Sequence, residues 1–292
     1  MTMEKDYLKT ELAKLQGRQK AIRSMLLTEI VMMILLLVLL FTIGIRSVYT
    51  VGAVVLAYNL FFIQPAKKQY LGNLSRAEAV CGTGGSLLDC SYKAKGNLQK
   101  DALQQYALVS PRQWPVEAIC RHQLNGSYAG AEVSLCECSF ALKHGVRNGD
   151  VSFLSGSFIQ AKFTKSSVFR LCCMSRDIVH ISEDLPDLES YALKPAAFKN
   201  KRANALAFGF ANDGNIPEWM ESRLIKLCAN GAKIMLSIQG DRLAIFIIGR
   251  FYAQKHRLSD SLSAESIGAN RLPERDAALD LIRIIQQNAE LQ

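Results

Sequence analysis

The sequence predicts an α+β protein: an N-terminal transmembrane helical hairpin followed by a cytoplasmic domain with a mixed or antiparallel sheet and flanking helices. Three observations predict it. Two uncharged apolar stretches, Ile30 to Ile45 and Val48 to Ile63, lie almost back to back. From about Ala131 the pattern turns to short β-branched and aromatic runs, and the chain closes on an amphipathic helical pattern from Pro273 to Ala289. The 292 residues, 49% hydrophobic and 21% charged, suffice for one large or two small domains and exclude a disordered chain.

Residues 1–24 read as a basic amphipathic or coiled-coil helix running straight into the first apolar stretch. Leu8, Leu12, Leu15, Gln19, Ile22 and Leu26 recur at a 4-3-4-3-4 spacing, which puts all six on one seam. Such a seam serves a homo-oligomer, or a helix that lies on the membrane or packs on its own domain.

Residues 25–66 read as a two-helix transmembrane hairpin. A helix rises about 1.5 Å per residue, so a hydrocarbon layer of about 30 Å needs about 20 residues. With their flanks the spans run from Met25 to about Ile45 and from about Ser47 to Ala66, joined by a turn over Gly44, Ile45, Arg46 and Ser47. A soluble helix keeps a polar face, which the run at 34–41 lacks. A signal peptide has one short apolar core close to the N-terminus, whereas here a charged segment comes first and a second apolar stretch follows.

Orientation follows from the flanks. Lys14, Arg18, Lys20 and Arg23 precede the first span, Lys67, Lys68 and Arg76 follow the second, and Arg46 alone lies between. Positive flanks stay inside, so a multi-pass inner-membrane protein with both termini cytoplasmic is expected. Residues 1–70 carry net charge +5 and residues 71–292 net +4. The basic excess is therefore juxtamembrane: Lys14, Arg18, Lys20, Arg23, Lys67 and Lys68 are the expected contacts to the bilayer and its anionic headgroups, worth about 1 kcal/mol each near the surface. The remainder is too evenly mixed for nucleic acid.

Residues 67–130 read as a linker and helical segment. Lys100 to Leu108 is helical until Pro111 and Pro115 intervene. The glycines at 82, 84 and 85 form a loop without the Gly-Lys-Ser/Thr ending of a phosphate loop. Residues 131–292 read as the α+β domain. Strands are expected over Glu132 to Leu142, Val151 to Phe163 with a bend at Gly156, Val168 to Met174 and Ala205 to Ala211. A helix capped by Asn215 then ends at Asn230-Gly231, and a hairpin turns at Gly240-Asp241 between Lys233 to Gln239 and Arg242 to Gly249.

This order resembles an uncharacterised bacterial membrane-protein family, domain of unknown function thirty-one thirty-seven, with a short N-terminal helix, two adjacent spans and a cytoplasmic domain. Three pieces carry the resemblance. They are the run from Ala131 through Cys138, the run from Gly156 through Lys165, and the strand-helix-hairpin unit from Leu206 through Phe251 with its closing helix at Leu281 to Ile285. Residues 71–125 depart from the pattern. These motifs are structural, so the resemblance implies an architecture and transfers no active site.

The chemistry-bearing residues point to no reaction. All eight cysteines follow the hairpin, in a compartment that keeps thiols reduced. Cys136 and Cys138 share a strand face, but adjacent Cys172 and Cys173 point to opposite faces, which spoils a four-thiolate zinc cage, so core thiols and no metal are expected. The four histidines form no Cys-His signature, and no cofactor motif is present. Glu29, four residues into the first span, is expected to snorkel to the headgroups or pair with Arg23 or Arg18. The expected function is a membrane-anchored cytoplasmic binding or scaffolding module with a cytoplasmic protein partner. An enzyme at the membrane face is the runner-up, and an oligomeric channel or transporter accessory subunit the third reading.

Overall fold

The computed structural model describes residues 2–43, 45–82, 87–109, 113–144, 151–165, 169–178, 191–228, 231–251, 258, 262–263 and 273–290. The chain divides into two compact units, residues 1–81 with 254–269, and residues 82–253 with 270–292.

The first unit is an antiparallel helical hairpin. Helix α1 (Thr2–Ile43) is unbroken, because nothing from Met3 to Thr42 but Gly17 opposes helix formation. The returning helix comprises α2 (Ile45–Tyr58), a π-helical turn (Asn59–Ile63) and α3 (Gln64–Gly82). The π turn answers Pro65. A proline cannot donate to the carbonyl four residues back and its ring crowds that carbonyl. The chain widens by one residue there, so that the Gln64 N–H donates to the Asn59 carbonyl and the helix continues.

Below the apolar stretch the two helices share a small core. Leu15 and Ile22 of α1 meet Tyr70, Leu74 and Ala77 of α3, with Leu262. Their 7- and 4-3 spacings are those of a two-helix seam. Residues 258 and 262 are strapped to α1 by side-chain donors: Gln16 Nε2 to the Leu262 carbonyl at 2.9 Å, Gln19 Nε2 to the Leu258 carbonyl at 3.0 Å, and Arg23 to that same carbonyl at 2.7 and 3.0 Å.

The second unit is a nine-stranded sheet, antiparallel throughout, in the order β1-β2-β3-β4-β9-β8-β5-β7-β6. Its strands are β1 (Leu88–Lys95), β2 (Gln113–Tyr128), β3 (Ala131–His144), β4 (Val151–Lys162), β5 (Arg170–Ser175), β6 (Lys194–Ala196), β7 (Ala207–Ala211), β8 (Lys233–Gln239) and β9 (Arg242–Ile248). The β8–β9 hairpin turns at Gly240-Asp241 as the sequence predicts, with Gly240 at φ 64°.

Several expectations shift. Residues 67–130 are no linker: they hold most of α3, the short helix α4 (Ala102–Gln105), and the first two strands. β4 runs straight through Gly156, whose missing Cβ leaves room for the Ile247 backbone of β9. The strand expected from Ala205 begins at Ala207, after helix α5 (Lys201–Leu206), which Asn200 caps by accepting from the Arg202 N–H. Helix α6 (Glu218–Leu227) starts on Pro217 rather than Asn215. Of the helix end expected at Asn230-Gly231, Asn230 lies outside the described residues, as do Gly84 and Gly85 of the expected glycine loop, while Gly82 ends α3.

Both sheet faces are covered in part. On one, Phe140, Phe158 and Phe246 stack edge to face at 5.8–6.0 Å, with Tyr106 against Phe158 at 6.2 Å, and the segment around α4 closes over them. On the opposite face Ile159, Leu236 and Ile245 are buried and helix α7 (Pro273–Glu290) packs against β2, β9 and α6, with an Arg223–Asp280 ion pair at 3.5 Å linking the two helices. Phe158 is fully buried at the centre of the ring cluster. Phe158→Ala should lower the stability of the sheet unit by about 3–5 kcal/mol, read as a fall in the urea midpoint.

Candidate functional site

The site residues predicted from the sequence fall on the hairpin, where they separate into two sets. In the proposed seam, Leu15 is 1%, Gln19 6% and Ile22 2% exposed, and Leu12 and Leu26 pack beside them. What fills the seam is the chain's own α3 and residues 258 and 262. Gln19, the one polar member, turns its amide to the Leu258 carbonyl. Leu8 lies in α1, and its side chain is outside the description.

The basic residues form a collar. Arg18, Lys20 and Lys68 are exposed and Lys67 half-buried. Arg23 is held against Leu258. Lys14 pairs with Glu11 at 2.9 Å. It stands nine residues, or about 13 Å, before Arg23, more than a Debye length from that end of the apolar zone. Lys14 therefore contributes least to any surface attraction there.

Past the collar both helices turn apolar and outward. Leu27, Ile30, Val31, Ile34, Leu35 and Val38 of α1 are more than half exposed, and Phe41 is 87% exposed; Val54, Leu56, Phe61 and Phe62 match them on the returning helix. These two helices are long and apolar enough to cross a membrane. From Arg23 to Ile43 is about 30 Å of helix, the thickness of a hydrocarbon layer.

Inside this zone sits a polar clasp that the sequence reading missed. Asn59 Nδ2, on the π turn, donates to Glu29 Oε1 at 2.6 Å, and Gln64 Nε2 donates to Asn59 Oδ1 at 3.2 Å. Glu29 thus takes its partner from the facing helix, not from Arg23 or Arg18 as expected. The signal was present in the sequence: two amides interrupt an apolar run just before a proline.

In the sheet unit the described thiols are core groups except Cys90, which stands exposed on β1 and departs from the expectation. Cys136 and Cys138 share a face with Cys120, which pairs across the strands with Cys138. Cys172 lies on that face too, donating to the Ala107 carbonyl at 3.4 Å, while Cys173 points to the other. A hydrogen bond with Cys136, then burial, pushes the Cys120 thiol far up. Burial alone pushes Cys172 up to about 12 and is the main cause of the rise at Cys173 and Cys228. Among the described residues, no group of three or more His, Cys, Asp or Glu is placed to hold a metal ion.

His122 sits at a β-bulge with φ 51°, its Nδ1 2.8 Å from the Tyr92 hydroxyl. Burial, with Arg121 beside it, lowers its pKa and favours the neutral ring. An open trough of about 340 Å³ runs over the sheet between Tyr106, Asn125, Glu132, Ser134, Gln160 and Lys162. A smaller hollow of about 140 Å³ joins Ile119, Arg121, Glu137, Cys138, Ser139 and Phe251. Near it Val116, Val151 and Phe153 stand exposed.

Thiolates, not thiols, react with alkylating reagents. With the folded protein in detergent near neutral pH, iodoacetamide should modify exposed Cys90 and spare Cys120, Cys136, Cys138, Cys172, Cys173 and Cys228 until denaturant is added. Fast modification of Cys120 or Cys136 in the native state, seen by peptide mass mapping, would refute the sealed-core placement.

No protein-family model and no curated protein matches the chain. Among solved structures it is similar to the mycobacterial trehalose monomycolate transport factor A, at 8% identity and a TM-score of 0.34, over 72% of this chain and 95% of that one.

Proposed function

We propose that the chain is an integral inner-membrane protein, multi-pass with both termini in the cytoplasm, whose sheet unit is a membrane-anchored binding or scaffolding module. One observation carries the reading. The antiparallel pairing of Leu15 with the Tyr70–Leu74 stretch and of Glu29 with Asn59 brings the basic flanks of both helices, Arg18 to Arg23 and Lys67 to Lys68, to the same end of the apolar zone. A hairpin entering a bilayer from the cytoplasm has this charge pattern. The collar then meets anionic headgroups, and the far end of the hairpin, where α2 already begins at Ile45 and so takes in Ile45, Arg46 and Ser47 of the expected turn, reaches the far side.

For the sheet unit, exposed Val116, Ile119, Phe153 and Phe251 and the open trough favour a surface that binds a cytoplasmic partner. The enzyme alternative finds less support: the trough joins no Cys or His to a carboxylate, the smaller hollow joins Glu137 only to a buried Cys138, and His122 is engaged by Tyr92. The channel alternative would line its pore with the all-apolar stretch Ile30 to Phe41.

Cys90 is exposed and native to the sheet unit, so it reports sidedness directly. In intact cells a membrane-impermeant maleimide should label Ser47→Cys and leave Cys90 untouched until the cells are permeabilised. Labelling of Cys90 without permeabilisation contradicts the orientation.

A further inference from the structure

The nine-stranded sheet ends in two unlike edges. At one end β6 is three residues long and contains Pro195, which has no N–H to offer a further strand. A short strand with a proline is a blunted edge. At the other end β1 is eight residues long, holds no proline and is exposed at every position but Tyr92, which is half-buried. One side of β1 pairs with β2, and among the described residues no strand pairs with its outer side. A strand paired on one side only turns alternate N–H and C=O groups outward.

Most of β1 is held straight enough to act as a template. A bulge between Leu88 and Ser91, with Asp89 at φ 51°, sets the first residues out of line, and from Ser91 to Lys95 the register with β2 is unbroken. Tyr92 fixes the middle of that stretch, its hydroxyl 2.8 Å from His122 Nδ1 and its ring stacked on His122 at 6.2 Å. The Gly96 N–H donates to the Cys120 carbonyl at 3.1 Å and fixes the end.

The charge of the stretch selects what can add to it. Lys93 and Lys95 are exposed, Arg121 of β2 stands directly across from Lys95, and among the described residues neither lysine has an ion-pair partner. Like charges directly opposite one another destabilise a sheet, so the Lys95–Arg121 juxtaposition is a cost in the free chain. A second copy of this edge adds to that cost, because antiparallel self-pairing centred on Ser91 to Lys95 sets Lys93 against its own copy. Carboxylates on an added strand relieve it. The residues opposite Lys93 and Lys95 are two apart and lie on one face of that strand, which calls for acidic side chains at alternate positions.

We propose that the β1 edge takes an extended acidic segment of a partner protein as a tenth strand, held by main-chain hydrogen bonds and by carboxylates against Lys93, Lys95 and Arg121. Such a site rests on the sheet unit being a binding module and is independent of where the hairpin lies.

The test uses the full chain in detergent with a dye-labelled peptide of eight residues, Glu alternating with Val, about 27 Å long when extended, and the same peptide with Lys in place of Glu. Exposed Cys90, on β1, reports occupancy of the edge. The acidic peptide should bind, read by fluorescence anisotropy, and slow maleimide modification of Cys90 several-fold; the basic peptide should do neither. Lys93→Glu with Lys95→Glu should weaken the acidic peptide about tenfold and admit the basic one. The acidic peptide methylated at every amide nitrogen keeps its charge but has no N–H to donate, so it should leave Cys90 reactive. Equal protection of Cys90 by the methylated peptide reduces the contact to charge attraction and overturns the strand addition, and equal protection by the basic peptide overturns the charge recognition. If the acidic peptide binds while Cys90 stays reactive, and Phe153→Asp abolishes that binding, the partner surface is the exposed apolar patch around Phe153: the edge site falls and the binding module stands. No binding of the acidic peptide also overturns the edge site.

Discussion

The rest of the proposed arrangement depends on one constraint: the apolar surface of the hairpin cannot be left in water. On α1 alone, nine large apolar side chains from Leu27 to Phe41 are about half exposed or more. At roughly 1.5–3 kcal/mol for full burial of each, half-burial of nine comes to the order of 10 kcal/mol. That is as large as the whole stability of an ordinary domain, about 5–15 kcal/mol. In the proposed placement lipid supplies the cover at no cost in backbone hydrogen bonds, since both helices satisfy their own.

The same constraint explains where polar groups occur on the hairpin. Below the collar they hold the unit together: Gln16, Gln19 and Arg23 donate to the Leu258 and Leu262 carbonyls, so backbone at residues 258 and 262 is bound without forming a helix or strand. Gln19 is tolerated at a buried seam position because its amide finds a carbonyl there. Above the collar polar groups are few, and several of those described are paired: Glu29 with Asn59, Asn59 with Gln64, Thr42 with its own helix. Pro65 is what bends the rule of regular helix, and the π turn it induces is where Asn59 leans across.

How much of this was legible in the sequence depends on how local the signal was. The two apolar helices, the β8–β9 turn at Gly240-Asp241 and α7 follow from periodicity and turn chemistry alone, and all are present as elements of the fold. β1 and β2 escaped the reading for opposite reasons. β1 is an edge strand exposed at nearly every position, so it has no alternation to read. β2 contains Pro115 and two bulges, at Pro115/Glu117 and Arg121/Leu124, and each bulge resets the phase of its alternation. The seam on α1 was visible, but a heptad pattern fits a second chain or a later helix of the same chain equally well, and Tyr70, Leu74 and Ala77 lie about fifty residues away in sequence. The clasp and the Cys120–Cys138 pairing are likewise products of register, which no short window of sequence contains.

The depth of α1 in lipid tests the central claim most directly. A nitroxide carried in turn at Leu27, Ile34 and Phe41, in the full chain in liposomes, reports collisions with oxygen, which partitions into hydrocarbon, and with a polar nickel chelate, which stays in water. A bilayer span predicts that oxygen dominates most at Ile34, about 10 Å from either of the other two sites along the helix. Equal access of the chelate at all three sites would mean that the girdle faces water or protein, and would contradict the membrane hairpin.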